Sequence, residues 1–214
     1  MRSRYFRRLK DIYALIRGEG RAYLCSLVGL VKARLFFDKR RVNRLEIGPG
    51  PEAKQGFITV DLNFQADFPY DLRLGLPFPD ESLDLIYSEH VLEHLRYPDL
   101  MALLRDCYRT LKPDAVFSLA VPNARIYLEA YSQPERLDPQ IYCTYDTGLS
   151  FKARINYVNY ISYMDGEHRH MFDEESIVAL LSEVGLRSVR LRSFDPALDQ
   201  QSRRHESLYA EGMK

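Results

Sequence analysis

The sequence predicts an α/β fold in which helices cover a mostly parallel β-sheet. Strand-like apolar runs alternate with helical patterns, and a glycine-rich turn directly follows the first run. This alternation is typical of parallel sheets. The 214 residues are 46% hydrophobic, which is enough to bury a full core. We therefore expect one main domain, residues 44–214, after an extension at residues 1–43.

The extension predicts one or two basic amphipathic helices, interrupted near Gly18 and Gly20. Its apolar residues recur at helical spacing between arginines: Phe6, Leu9, Ile12 and Ile16. Residues 1–44 carry 13 basic and 3 acidic residues, whereas residues 45–214 carry 17 basic and 27 acidic. The net charge of zero therefore conceals a split, and the extension can pack on the acidic domain or lie on an anionic membrane.

The main domain begins with three predicted strands, "RLEIG", "FITVDL" and "LDLIYS". A helix, "DLMALLRDCYRTL", and a strand, "AVFSLAVP", follow. The segment "DEESIVALLSEVG" predicts a helix with Asp173 as its N-cap and Gly185 as its stop. The strands "SVRLRSF" and "SLYAEGM" close the chain. Residues 124–167 are rich in Tyr, Pro and Asp without clear periodicity, which is typical of a substrate lid.

The cysteines and the longest apolar stretch indicate a cytoplasmic protein. Three widely spaced cysteines form no C-x-x-C pair, so neither a disulfide framework nor a cysteine zinc site is expected. The apolar stretch at residues 22–31 is too short to span a bilayer. Peripheral contact with the inner membrane face stays open because of the basic extension.

A glycine loop follows the first strand, in "RLEIGPGPEAKQGFITVDLN". Gly48 to Ala53 matches the Gly-x-Gly-x-x-Ala pattern of dinucleotide-binding folds, which place an acidic residue about 20 positions further on. Asp61 follows Gly48 by only 13 positions, and Pro49 and Pro51 remove backbone donors that a pyrophosphate would use. The loop therefore favours a phosphate-free ligand that is cationic and carries a ribose, such as S-adenosylmethionine.

Several motifs in order resemble the class I S-adenosylmethionine-dependent methyltransferases: "LEIGPG", "VDLN", "DLRLGLPFPDESLDLIYSEHVLEHL", "LLRDCYRTLKPDAVFSLAVPN" and "HRHMFDEESIVALLSEVGL". They resemble in particular a small bacterial group often associated with surface-polysaccharide synthesis. The resemblance implies a Rossmann-like, doubly wound, seven-stranded sheet, mostly parallel with the last strand antiparallel, and helices on both faces.

The same resemblance implies these cofactor-binding residues: Glu46, Gly48, Gly50, Asp61, Leu62, Asp71, Leu72, Ser88 and Glu89. The first three match the glycine loop beside the methionine part of S-adenosylmethionine. Asp61 matches the acid that accepts from the ribose hydroxyls. Asp71 and Leu72 match the adenine contact, and Ser88 and Glu89 match positions that lie beside the methionine part and the transferring methyl group in the family.

Histidines are the candidate general bases. An alcohol acceptor must lose a proton as it attacks, and His90 and His168 are placed by the motifs where they could take it. Glu93 and His94 are expected to begin a helix. His168 and His170, at i and i+2, could face one way as metal ligands do, but no third ligand is evident and no metal site is predicted.

The leading functional hypothesis is methylation of a hydroxyl on a sugar or surface-glycan component. One alternative is an unrelated small-molecule or protein acceptor, and another is a non-catalytic methyltransferase-like module at a membrane or partner enzyme. Nucleic acid is not expected as a partner, because the main domain is acidic and the extension has no recognition motif. The oligomeric state is left open.

Overall fold

The computed structural model describes residues 2–51 and 53–214, with side chains from Gly18 onward. Its strands, in chain order, are β1 Arg44–Ile47, β2 Ile58–Asp61, β3 Phe68–Pro69, β4 Leu83–Glu89, β5 Leu111–Pro122, β6 Arg187–Leu191 and β7 Ser207–Met213. They form one seven-stranded sheet in the order β3-β2-β1-β4-β5-β7-β6. β7 runs antiparallel to β5 and β6, and the other pairs are parallel. The predicted fold class is confirmed, although β3 is too short to produce a periodic pattern.

The α-helices of the described residues are α1 Arg2–Phe36, α2 Tyr97–Thr110, α3 Ala124–Ser132, α4 Pro139–Tyr142, α5 Ile155–Tyr163 and α6 Glu174–Glu183. The predicted end signals of α6 are confirmed. Asp173 accepts from the backbone N–H of Ser176 at 2.8 Å in a capping box, and Gly185 adopts a left-handed conformation with φ of 99°.

Parallel pairing at the centre of the sheet fixes where the site forms. Ile47 at the end of β1 pairs with Val60 in β2 and with Ser88 in β4. The carboxyl ends of these strands therefore meet at one edge, where ligands of open α/β sheets bind. Apolar residues behind that edge are fully buried and hold it rigid, among them Leu45, Ile47, Val60, Ile86 and Phe117.

Helix α1 is continuous, so the predicted interruption near Gly18 and Gly20 is wrong. Glycine inside a helix costs only about 1 kcal/mol relative to alanine, which packing of the helix offsets. The packed face carries small residues, including the buried Ala22, Cys25 and Ala33, and it contacts β3. The predicted stripe at Phe6, Leu9, Ile12 and Ile16 lies outside the described side chains. Within the described part of the chain, no helix has the length and apolarity to cross a membrane.

Residues 124–167 form helices α3, α4 and α5 instead of an irregular loop. These helices share a second apolar core that includes Tyr127, Tyr157, Tyr160 and Ile161. The rings of Tyr127 and Tyr160 stack with centroids 5.8 Å apart. Helical periodicity is hard to see in this segment because tyrosine occupies both buried and exposed positions, as exposed Tyr131 and Tyr163 show.

Candidate functional site

Two adjoining cavities open at the carboxyl edge of the sheet. The larger, about 480 Å³, is lined by Glu46, Gly48, Pro49, Gly50, Pro51, Glu89, His90, Gln200, Ser202 and Arg203. The smaller, about 320 Å³, shares Gly48, Gly50 and His90 with it. Its other lining residues are Asp61, Leu62, Asp71, Leu72, Arg73, Val91, His94 and Leu95. The structure thus brings together nearly all of the residues that the sequence predicts for a cofactor site.

The loop after β1 requires glycine at two positions. Gly48 and Gly50 have φ of 62° and 63°, a left-handed conformation that costs other residues about 1–2 kcal/mol. A Cβ on Gly48 would lie 2.5 Å from Cγ2 of Val91. The N–H of Gly48 donates to the carbonyl of Val60 at 2.8 Å, which extends the β1–β2 pairing into the loop. The loop backbone therefore forms part of the wall of both cavities.

Asp61 ends β2 and faces this loop. Its Oδ2 accepts from the N–H of Gly50 at 3.2 Å. Among the described residues its Oδ1 accepts no hydrogen bond, so that oxygen remains for a ligand in the smaller cavity. Two adjacent ribose hydroxyls are donors that suit such a carboxylate.

Lys54 organises the floor of the larger cavity, and no sequence pattern marked it. Its Nζ lies 2.8 Å from Oε1 of buried Glu46 and 3.5 Å from Oε2 of Glu89. Its backbone N–H also donates to Glu46 at 2.7 Å. Lys54 thus folds the chain after the glycine loop back onto the sheet, and its ammonium bridges the carboxylates of β1 and β4.

The loop at residues 195–203 closes the other side of the larger cavity. The N–H of Gln200 donates to Oε1 of Glu89 at 3.1 Å, and Asp199 accepts from Tyr87 Oη at 2.8 Å. Asp199 is fully buried and binds the Arg192 guanidinium with N–O distances of 2.6 and 2.7 Å. This docking places Gln200, Ser202 and Arg203 in the wall. The sequence does not predict these three residues, because the loop is polar and shows no motif.

Asp71 and Ser88 differ in setting from the other predicted contacts. The carboxylate of Asp71 lines the smaller cavity but accepts from Arg73 Nε at 2.9 Å and from Arg73 Nη2 at 2.6 Å. Arg73 also binds Glu19 of α1 at 2.9 Å. Ser88 is fully buried, and neither cavity includes it. An adenine contact by Asp71 therefore competes with Arg73, and Ser88 supports the site from behind the wall.

His90 occupies the junction of the two cavities. It follows β4 with φ of 52°, and its Nε2 lies 2.8 Å from Oγ of Ser207. The Ser207 hydroxyl donates to the Arg203 carbonyl at 2.8 Å, so Nε2 of His90 must carry the proton and donate to Ser207. Burial, reinforced by Arg203, lowers the pKa of His90 well below its ordinary value. A neutral imidazole with a lone pair on Nδ1 results.

The segment after β4 differs from the predicted helix start. Leu92–His94 forms a single 3-10 turn, and α2 begins only at Tyr97, where Pro98 suits the first helical turn. The N–H groups of Arg169 and His170 donate to the carbonyl of Glu93 at 2.7 and 3.1 Å. These bonds bring the segment before α6 against the turn.

His168 lies beside this turn, away from the walls of both cavities. Its ring meets that of His94 edge-on with centroids 5.2 Å apart. Burial lowers the pKa of His168. His170 contacts Phe172 and Tyr97 with centroid distances of 4.8 and 5.9 Å, so it does not pair with His168.

Glu93 is the most unusual side chain near the site. It is buried, and within the described chain neither carboxylate oxygen has a hydrogen-bond partner. Burial raises the pKa of Glu93 to about 8. Leaving a buried polar group unpaired costs about 1–3 kcal/mol, and more if the group is charged. Such a group calls for an explanation.

The model of a protein family described as "Methyltransferase domain" matches residues 18–191. A probable S-adenosylmethionine-dependent methyltransferase of Mycolicibacterium smegmatis is 39% identical over 57 residues, which cover 25% of this chain and 21% of that protein. The chain thus matches only about a fifth of the length of this curated relative.

Two solved structures are similar to this chain, and the first of them has the same fold. A Haloferax volcanii protein in complex with the methyltransferase activator Trm112 is 14% identical, with coverage of 95% and 94% and a TM-score of 0.50. An S-adenosylmethionine-dependent methyltransferase of Archaeoglobus fulgidus is 18% identical, with coverage of 86% and 93% and a TM-score of 0.47. The family match spans most of the chain and agrees with the cavity at the sheet edge. The chain therefore belongs to the methyltransferase-domain family.

Proposed function

We propose that this protein methylates a hydroxyl group, and that the acceptor is a sugar or another surface-glycan component. The observation that carries the proposal is the position of His90 at the junction of the two cavities, with its Nε2 held by Ser207. When bound, S-adenosylmethionine supplies a methyl group on a sulfonium: the acceptor oxygen forms the C–O bond as the methyl–sulfur bond breaks, and that electron pair stays on sulfur. The residues must hold both reactants in line and accept one proton.

The residues present fit this cofactor. The close approach of the Gly48 backbone leaves room for the methionine part, and a side chain there would collide with Val91. Among the described residues nothing donates to Oδ1 of Asp61, so this oxygen can accept from the ribose diol, and Leu62 and Leu72 offer apolar surface for the adenine. Glu89 brings a carboxylate, which Lys54 and the Gln200 N–H hold in place, to the larger cavity, where it can attract a sulfonium or an ammonium.

His90 serves as the base in this proposal. Nδ1 has the lone pair because Nε2 donates to Ser207, so the proton of the acceptor hydroxyl passes to Nδ1. The Ser207 hydroxyl then holds the ring orientation while charge develops on it, as the partner of a catalytic histidine does. His168, the other predicted base, can act only indirectly from its place behind His94.

The helical insertion offers a place for a sugar acceptor. A further cavity of about 420 Å³ lies within the helical insertion. Its lining combines an aromatic ring with amide and carboxylate groups, from Tyr163, Asn159 and Asp165. Aromatic and hydrogen-bonding groups together suit a sugar. The glycan assignment otherwise rests on the sequence resemblance.

Mass spectrometry tests the proposal directly. The protein is mixed with labelled S-adenosylmethionine and three acceptor sets: sugar nucleotides, lipid-linked glycans, and unrelated phenols, amines and peptides. A gain of one methyl group on a sugar hydroxyl supports the proposal. Methylation confined to the third set replaces the glycan assignment, and cofactor binding without turnover on any set favours a non-catalytic module.

We also propose that α1 contacts an anionic membrane surface. The face of α1 opposite the packed one exposes large apolar residues at helical spacing: Leu24, Leu27, Val31 and Leu35. Basic residues that are exposed continue beyond it, including Arg34, Lys39 and Arg41. Exposed apolar groups on a helix with basic groups on it and directly after it suit an interfacial position. Flotation with anionic and neutral vesicles tests this. Salt-sensitive binding to anionic vesicles should disappear in the double variant Leu27→Gln, Val31→Gln.

A further inference from the structure

Three side chains beside the cofactor cavities form a cluster that hydroxyl methylation alone does not explain. Glu93 and His94 come from the turn after β4, and His168 comes from the segment before α6. One ligand-type atom from each lies within 4.8 Å of those of the other two. We propose that Glu93, His94 and His168 bind one divalent transition-metal ion, with Zn²⁺ as the preferred ion.

The two histidines are held in the form that binds metals. Nδ1 of His168 lies 2.8 Å from the carbonyl of Ile161, and Nδ1 of His94 lies 3.1 Å from the carbonyl of Glu167. A carbonyl can only accept, so each Nδ1 must carry the proton. Nε2 of each neutral ring then carries a lone pair that can bind a metal ion. A backbone carbonyl on the far nitrogen is the usual support of a metal-binding histidine.

Glu93 supplies the independent observation. Its two oxygens are buried and have no hydrogen-bond partner among the described residues. Oε1 lies 3.8 Å from Nε2 of His94 and 3.8 Å from Nδ1 of His90. This separation is too long for a hydrogen bond. Two ligand atoms that are each about 2.1 Å from a tetrahedral ion lie about 3.4 Å apart. The Glu93–His94 separation is close to this value, and the three ligand atoms, which lie within 4.8 Å of one another, would draw together around the ion.

The donor set selects the class of metal. Two imidazoles and one carboxylate are used by zinc enzymes and by non-haem iron sites. Magnesium and calcium prefer oxygen ligands, so nitrogen from two histidines disfavours both. Three protein ligands leave at least one coordination position open, which is typical of catalytic zinc.

The cluster borders the place where the acceptor would react. His94 belongs both to the cluster and to the smaller cavity, because its half-exposed side chain lines that cavity with His90. An ion held there would polarise a hydroxyl that reaches it from the cavity and would lower the pKa of that hydroxyl. The proton could then pass to Nδ1 of His90. This catalytic use rests on the proposed hydroxyl methylation, whereas binding of the ion does not.

The test compares the purified full-length protein with four variants after removal of metal by a chelator. Glu93→Gln, His94→Gln and His168→Gln each remove one ligand, and His170→Gln is the matched control on a neighbouring histidine outside the cluster. Zn²⁺ affinity is measured by competition with a chromophoric chelator, and Co²⁺ replaces it for visible absorption spectra. Circular dichroism and cofactor calorimetry report whether each variant is folded.

We expect one Zn²⁺ per chain in the wild type and in His170→Gln. Each ligand variant should lose more affinity than the about 10–100-fold that loss of a supporting group causes. Equal, weak Zn²⁺ binding by all five proteins would overturn the inference, as would an equal loss in the control. His94→Gln keeps the test decisive if a buried variant fails to fold, because the His94 side chain is 42% exposed.

Activity separates this inference from the proposed function. If chelation slows hydroxyl methylation and Zn²⁺ restores it, both are supported. Undiminished methylation by metal-free protein refutes the catalytic use of the ion. If Zn²⁺ binds but no hydroxyl acceptor is methylated, the metal site is supported and the proposed function fails.

Discussion

Replacing Gly29 with alanine tests whether α1 is an integral part of the fold. Gly29 lies on the packed face of the helix, and a Cβ there would collide with the carbonyl oxygen of Pro69 in β3. Gly20 lies in the same helix and is exposed, and an added Cβ there meets no described atom within 4 Å outside the adjacent helix backbone. The two substitutions therefore share their helix-propensity effect but differ in packing.

The magnitudes follow from this difference. Replacing glycine with alanine inside a helix raises the free energy of unfolding by about 1 kcal/mol at either position. Overpacking at Gly29 costs about 1–3 kcal/mol because the obstacle is backbone and cannot rotate away. Gly29→Ala should thus be less stable than Gly20→Ala by about 1–3 kcal/mol. For a chain of this size, that is about 2–12 °C in Tm.

Thermal unfolding by circular dichroism measures the two Tm values, and calorimetry measures cofactor affinity. Displacement of β3 should reach the site, since the N–H of Tyr70 donates to the carbonyl of Asp61 at 2.9 Å. Gly29→Ala should therefore bind S-adenosylmethionine more weakly than Gly20→Ala. Equal Tm values for the two variants would refute the close packing of α1 on β3 and would favour a detachable extension.

Three further predictions concern the site and its support. Asp61→Asn should weaken cofactor binding by about 1–3 kcal/mol through loss of charged hydrogen bonds, and an unchanged Kd in calorimetry would remove Asp61 from the site. Arg192→Ala leaves Asp199 buried without its partner and should cost about 3–5 kcal/mol in chemical denaturation. The matched control Arg190→Ala breaks an exposed pair and should cost no more than about 1 kcal/mol. Similar losses of stability in the two variants would contradict the structural role of the buried Arg192–Asp199 pair. His90→Gln should lower kcat by about 10²–10⁴-fold while the cofactor Kd is largely retained, and full turnover would exclude His90 as the base.

Local patterns were sufficient for much of the fold and for the cofactor loop. Alternating apolar runs identify six of the seven strands, and the capping residues of α6 identify its two ends. The short spacing from Gly48 to Asp61 excludes a dinucleotide crossover, because too few residues remain to form a helix between them. Each of these inferences depends on neighbours in sequence, so the sequence alone could determine them.

Helix α1 and the insertion required more than local pattern. Gly18 and Gly20 have low helix propensity. The helix nevertheless continues through them, because helix formation is cooperative and because the helix packs on β3. The tyrosines of residues 124–167 form a second core that no periodic stripe marks. In both cases tertiary contacts contribute more free energy than local propensity does.

The sequence by itself determined the fold class, the family resemblance and the glycine–aspartate loop. Each depends on motifs or periodic runs whose residues lie within about 20 positions of one another. Only the tertiary structure decided which side chains complete the site. Lys54 crosses to Glu89 on another strand, Asp199 positions the loop that carries Arg203, and His168 reaches Glu93 across 75 positions. Such groups meet because burial and backbone hydrogen bonds bring distant segments together, and no local spacing encodes that approach.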